Sequence, residues 1–441
     1  MSRLVDRIAP RSLGTSFRWL WAASVAGNLG DGLLLAVAPL LVASLTSDPF
    51  AIALAVFMQR LPWLLFGLAA GVVVDRVDRR LLSAAVDVAR ALVVGGLTVT
   101  VATGTVTVLL VYAVVFLLGT AETLADNAAT ALVADAVPPQ GLGIANARLI
   151  GSIMVTNQLA GPPIGAALFG IGVALPFGTY AACLAASAVL ITRMRIRPAE
   201  SPRPPRRALR HEIAEGVVWL WRHPPIRTLA ETIFAFNITF GAAMAVYVLY
   251  AKERLGVGDL GFGLLLSATA VGGVVGAACY GTLARWFSLA TLMRAGLIVE
   301  TCTHLALALT QSPIVAGLVT FVFGVHAAVW GSTSLTVRQR AVPSRLLGRV
   351  NSVYLLGSIG AIAIGTLLGG ALAQRWGVTA PFWFAFIGSA VITIAMWRTF
   401  LRIAHAAELP GDAESDDEAR GTGAPTSPDS STAPTGPGPA T

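Results

Sequence analysis

The chain has 441 residues, 55% of them hydrophobic and 12% charged, with a mean hydropathy of +0.73. A soluble domain carries about 25% charged residues, so the composition excludes a soluble enzyme and indicates a polytopic α-helical membrane protein. The formal charge of +8 is the balance of 31 basic against 23 acidic residues; the basic ones border apolar segments and form no separate polar face, and this argues against a nucleic-acid partner.

The polar, basic N-terminus runs into an apolar stretch long enough to span, so no cleavable signal is expected. Twelve segments come near the ~20 residues a bilayer requires. Six lie in the first half, at 17–45, 50–74, 81–102, 106–134, 142–169 and 171–193. Six lie in the second, at 226–251, 261–284, 288–309, 313–337, 347–374 and 379–401. The expected organisation is a six-helix bundle over 1–193, a basic linker over 194–225, a second bundle over 226–405 and a disordered tail over 406–441. In the linker, Leu209, Ile213, Val217, Leu220 and Trp221 fall on one helical face, which predicts an amphipathic helix on the membrane surface. The tail carries acidic residues against the single basic Arg420 and has no apolar periodicity, the composition of a solvated end.

The fifth and eleventh segments repeat one another. Ala136-Val137-Pro138, Leu142-Gly143 and Asn146 return as Ala341-Val342-Pro343, Leu347-Gly348 and Asn351. Gly151-Ser152-Ile153 returns at Gly357, Ser358 and Ile359, and GPPIGAAL from Gly161 returns as GTLLGGAL from Gly365. An even number of crossings separates the copies, so the halves are expected to be parallel repeats about an axis along the membrane normal. Only Lys252, Arg254 and Arg375 fall on one side of the membrane; the other receives the arginine clusters, which places both termini in the cytoplasm.

Ionisable side chains inside spans cost about 2.5–3.5 kcal/mol each on insertion scales and are functional candidates by default. Asp31 and Arg60 lie at similar depth, so an ion pair between them is expected. Its bland reading is a pair that only makes both insertable; its sharp reading is a proton site. Glu122 and Asp126 share one face of the fourth segment, and two carboxylates so close hold a proton more readily than one. Pairing with Arg90 or Arg79 is the competing reading. Glu231 reads as an interfacial residue and Glu300 with His304, at i and i+4, as a structural pair. His326 and Trp330 share a face that is a candidate cavity wall. Cys183, Cys279 and Cys302 have no metal-ligand spacing, and no Walker loop is present, so no cofactor and no metal are expected.

The loop GVVVDRVDRR resembles the signature of the major facilitator superfamily, Gly-x-x-x-Asp-Arg/Lys-x-Gly-Arg-Arg/Lys. Gly71, Asp75, Arg76, Arg79 and Arg80 match, whereas Asp78 replaces the usual Gly. The resemblance implies a cytoplasmic gate that ties the halves together. AGPPIGAA resembles the family's antiporter motif through Gly161, Pro162 and Gly165, with Asn157 and Ala166 in place of its outer glycines; an ordinary packing kink explains it equally well. Together with VAGNLGDG around Asp31, GTAETLADNAA and RQRAVPSRLLGRVNSVY, these segments are similar to the drug:proton antiporter branch that contains macrolide-efflux pumps and enterobactin exporters. The resemblance implies a monomeric transporter working by alternating access, with cargo between the halves. The expectation is proton-coupled export of a small amphipathic molecule, with coupling mainly in residues 1–190. The alternatives are a siderophore exporter and a non-transporting membrane scaffold or sensor.

Overall fold

The computed structural model describes residues 13–74, 77–195 and 209–399. Asp75, Arg76 and the tail 406–441 lie outside the described residues. The first half comprises α1 (Gly14–Leu45), α2 (Pro49–Val74), α3 (Arg79–Ala102), α4 (Val108–Ala136), α5 (Leu142–Ile153), a π-helical segment (Met154–Ala160), α6 (Gly161–Ile171) and α7 (Leu175–Thr192). After α8 (Leu209–Arg222), the second half comprises α9 (Pro224–Ala245), a short extension to Arg254, α10 (Asp259–Trp286), α11 (Leu289–Leu309), α12 (Pro313–Ala341), α13 (Ser344–Trp376) and α14 (Ala380–Met396).

The boundaries follow local chemistry. Thr107, Ser288 and Ser312 cap α4, α11 and α12 by accepting a hydrogen bond from the third following backbone N–H. Pro176, Pro313 and Pro381 occupy first-turn positions where no N–H is needed. Asp78 does the same work as these caps for α3, accepting from the N–H groups of Arg80 and Leu81 at φ −63°. The turn therefore needs no glycine, which explains the departure from the family pattern at this position.

Ten described helices are long and apolar enough to cross a membrane. The fifth expected span is present but divided: the π turn before Pro162-Pro163 splits it into α5 and α6. The twelfth is α14, 17 residues long. Apolar side chains cover the outer surface, among them Leu92, Leu109, Ile171, Ile314 and Ile394, a band that water would penalise and lipid accepts.

The sequence repeat has a counterpart in the packing. In the first half a Cβ on Gly161 would strike the backbone of Gly32 on α1, and one on Gly32 would strike the Asn157 carbonyl. In the second, a Cβ on Gly365 would strike the Ile238 carbonyl on α9, and one on Gly241 would strike that of Ile362. Each half thus crosses its first and fifth spans at reciprocal glycines, where backbones touch.

One core cluster joins the halves, drawing Val42, Val111 and Phe169 from the first and Tyr250, Phe262 and Phe382 from the second. It lies toward the face that carries the loops at 46–48, 103–107 and 310–312, called here the distal face. Toward the linker face each half keeps its own cluster, around Phe17, Leu132 and Met194 in one and Leu229, Val337 and Leu346 in the other. The direct links between halves include Gln374 Nε2 donating to Asp48 Oδ1 at 3.0 Å on the distal face. Helix α8 packs on the start of α13, with Arg349 Nη1 2.6 Å from Glu215 Oε2. Of its expected apolar face, Leu220 is buried in the second-half core while Val217 and Trp221 stay exposed.

Candidate functional site

Asp31 sits on α1 immediately before Gly32, where α6 presses close, and this crossing holds the carboxylate inside the first bundle. Its partner is Arg90 of α3, not Arg60: Arg90 Nη2 donates to Asp31 Oδ1. The Tyr180 hydroxyl of α7 donates to the same carboxylate oxygen at 2.6 Å and accepts from Arg90 Nη2 at 2.7 Å. Arg90 Nη1 also lies 3.7 Å from Asp87 Oδ1. Ser187 Oγ donates to Asp87 Oδ2 at 2.6 Å. One buried guanidinium, 4% exposed, therefore serves two carboxylates. Tyr180 and Ser187 add hydrogen bonds that support the buried charges, while Arg90 Nε is left without a hydrogen-bond partner.

Arg60 belongs to the fourth helix's side of the bundle instead. A Cβ on Gly119 of α4 would lie 2.6 Å from the Gln59 carbonyl, so α2 and α4 touch there. Glu122, one turn on, falls within electrostatic reach of Arg60. Glu122 and Asp126 both sense Asp31 and Arg90 as well. Arg60 and Asp126 are exposed and Glu122 half-buried. The cluster as a whole contains four carboxylates, Asp31, Asp87, Glu122 and Asp126, against the two guanidiniums of Arg60 and Arg90.

Asp87, Tyr180 and Ser187 were not singled out by the sequence reading. Asp87 and Arg90 at i and i+3 in an apolar segment carry the same insertion-cost signal as Asp31. A tyrosine or serine in a span carries none.

The loop motif is described in part. Gly71 lies in the last turn of α2. Arg79 Nη1 is 2.7 Å from Asp135 Oδ2 at the end of α4, so Arg79 engages Asp135 and not Glu122 or Asp126. Arg80 Nη1 donates to the Met194 carbonyl at 2.6 Å, tying α3 to the end of α7. The kink motif packs on two partners: Gly161 and Gly165 on α1, and Pro162 on Gly263 of α10.

His326 and Trp330 do not face the cavity between the halves. They fill the groove left by Gly296 on α11, where a Cβ would lie 2.8 Å from His326 and 2.9 Å from Trp330. A cavity of about 450 Å³ is lined instead by α12 residues Phe323 and Ala327, by Phe240 and Tyr247 from the ninth-helix region, and by His304 of α11. Leu35, one turn beyond Asp31, lines it from the first half. Glu231 lies 3.6 Å from Arg227 at the linker end of α9. The three cysteines are free thiols.

A family model described as transmembrane secretion effector matches residues 7–419. The chain is 26% identical over 379 residues to the multidrug efflux pump Tap of Mycolicibacterium fortuitum, covering 82% of this chain and 90% of that one. It is 24% identical over 400 residues to macrolide efflux protein A of Streptococcus pyogenes, covering 86% and 94%. In structure it is similar to the nucleoside transporter NupG, with a TM-score of 0.67 at 10% identity over 88% of this chain and 99% of that one. It is also similar to a bacterial homologue of the iron transporter ferroportin in an inward-facing state, with a TM-score of 0.69 at 16% identity over 88% and 98%. With the repeated helical segment and the loop signature, these matches place the chain in the transmembrane secretion effector family of the major facilitator superfamily, as a multi-pass membrane transporter and not an enzyme.

Proposed function

We propose that the protein exports a small amphipathic molecule in exchange for protons, by alternating access. The observation that carries this reading is the excess of carboxylates in the Asp31 cluster. Four acids lie near only two guanidiniums inside the membrane span, and a negative excess there is relieved most simply by binding a proton. Arg60 and Asp126 are ionisable and exposed at span depth, which calls for water from the space between the halves and not lipid.

The arginine-rich linker face is assigned to the cytoplasm by the positive-inside rule. With the joined core on the distal face, the described arrangement is then inward-facing. Protonation of Asp31 would weaken its hold on Arg90 and Tyr180 and so loosen α1 from α3 and α7. That gives the proton a differential interaction with two states, as coupling demands. The names of the efflux-pump relatives support drug-like cargo.

The test is flux in liposomes carrying the purified protein, with an imposed pH gradient and ethidium, erythromycin and chloramphenicol as probes. Gradient-driven flux that is lost in Asp31→Asn is expected. Flux that ignores the gradient in both proteins refutes proton coupling.

A second reading concerns cargo only. Arg60 makes no hydrogen bond or ion pair among the described residues, and an exposed guanidinium at mid-span suits an anionic metabolite such as a siderophore. Retention of a siderophore in iron-starved cells lacking the protein, with unchanged drug sensitivity, selects this reading.

A further inference from the structure

Helix α8 is held at the linker face by contacts that fix its rotation. Gly216 lies against the backbone of α13, where a Cβ would come within 2.9 Å of the Arg349 carbonyl oxygen, and the Arg349 guanidinium pairs with Glu215. Leu220 is buried in the second-half core with Ile226, Leu346 and Val350. The repeat shows that this seat is particular to the second half. Ile144 stands in the first copy where Arg349 stands in the second, and the Ile144 side chain stays exposed.

The rotation set by that seat leaves a second apolar stripe uncovered. Ala214, Val217, Val218 and Trp221 recur at the three- and four-residue spacing of one helical face. All four are exposed, Trp221 at 60%. Such a face is unfavourable in water and calls for an apolar partner. One residue, His223, separates α8 from the spanning helix α9, so the stripe lies close to the membrane boundary, where a tryptophan suits the headgroup layer. Charge narrows the partner further. Arg222 ends α8, exposed and without a hydrogen bond or ion pair among the described residues. From Arg195 to Arg227 the chain carries eight arginines against three glutamates, a density that attracts anionic lipid when it borders a span.

We infer that α8 is a docking surface for an anionic bilayer. The stripe of Ala214, Val217, Val218 and Trp221 enters the boundary between headgroups and acyl chains, and Arg222 pairs with lipid phosphates. An amphipathic helix of this kind draws affinity from apolar area and from charge together. The seat on α13 presents the stripe already helical and in one rotation, so little ordering remains to be done on contact with lipid. The linker is fastened to both halves. Gly216 and Glu215 hold α8 to α13, while Arg80 and Ser16 donate to the carbonyls of Met194 and Arg195 on the first half. Anionic lipid gathered around α8 therefore bears on the linker end of the second half. The inference depends on neither the cargo nor the direction of transport.

The test uses the full chain with Cys183, Cys279 and Cys302 replaced by alanine and Val218→Cys carrying a nitrobenzoxadiazole fluorophore. The protein is placed in vesicles of phosphatidylcholine and phosphatidylglycerol. A nitroxide near the top of the acyl chain is carried by one lipid or the other, at equal mole fraction. Quenching by both is expected, with phosphatidylglycerol the stronger by about twofold, as enrichment of anionic lipid at a basic segment requires. That excess should shrink in about 1 M salt, where the Debye length falls to about 3 Å, and in Arg222→Gln. The same fluorophore at Thr105→Cys, in a distal loop, should show no preference. Equal quenching by the two lipids, or an excess that salt leaves unchanged, overturns the recognition of anionic lipid. Quenching by neither overturns the membrane contact itself, and iodide then separates a face open to water from one covered by the first half or by a second copy. If Arg222→Gln fails to fold, the salt series on the Val218→Cys protein decides alone.

Discussion

Ser267 of α10 donates a 2.8 Å hydrogen bond to the carbonyl of Leu159 in the π turn of the first half. Leu159 lies four residues before Pro163, which has no N–H to offer it. The kink in the fifth span thus exposes a carbonyl inside the membrane, and a hydroxyl from the other half satisfies it. The antiporter-type motif is in this way both a kink and a contact between halves.

Ser267→Ala is expected to weaken that contact by about 1 kcal/mol, the scale of one such bond. Spin labels at Thr105 and Gln311, one on each half at the distal face, report it. Their distance distribution should gain a longer component in the variant, and an unchanged distribution counts against the bond holding the halves.

Gly32→Ala places a methyl group against the backbone of the π turn, where a Cβ lies 2.8 Å from Asn157 Cα. Backbone gives way less readily than a side chain, so a loss of about 1–3 kcal/mol is expected. Gly143→Ala meets nothing within 4 Å and serves as the control. Thermal melting in detergent, followed by size-exclusion fluorescence, separates the two.

Arg90→Leu strands two carboxylates at once, and removal of one partner from a buried pair costs about 3–5 kcal/mol. Asp31→Asn alone is milder, because Asn still accepts from Tyr180. The double variant is expected to recover part of the Arg90→Leu loss. A double-mutant cycle on melting or denaturant data checks this, and strict additivity would show that Asp31 and Arg90 are not coupled.

Glu122 makes no hydrogen bond or ion pair among the described residues, in contrast to Asp31. Glu122→Gln should therefore melt as the wild type does while reducing the response of flux to a pH gradient. A variant that loses stability but keeps the gradient response assigns Glu122 to structure and leaves coupling to Asp31.

Much was legible in the sequence because it depends on near neighbours along the chain. Hydropathy set the spans, Pro and capping residues set their ends, and the repeat anticipated the matched glycine crossings at Gly161 and Gly365. The charged candidates were legible too, since an Asp or Arg in an apolar run announces its own cost. Which of them meet was not. Arg60 and Arg90 both lie at mid-span, and one-dimensional depth cannot distinguish them; only the lateral order of helices puts α3 and α7 around Asp31 and sets Arg60 beside Glu122. The same holds for His326, which a helical-face argument turns toward the cavity and which packing turns into the groove at Gly296, leaving His304 on the wall. Depth and direction follow from solvation along one helix. Pairing follows from contacts between helices, and those are decided where backbones approach closely enough to touch.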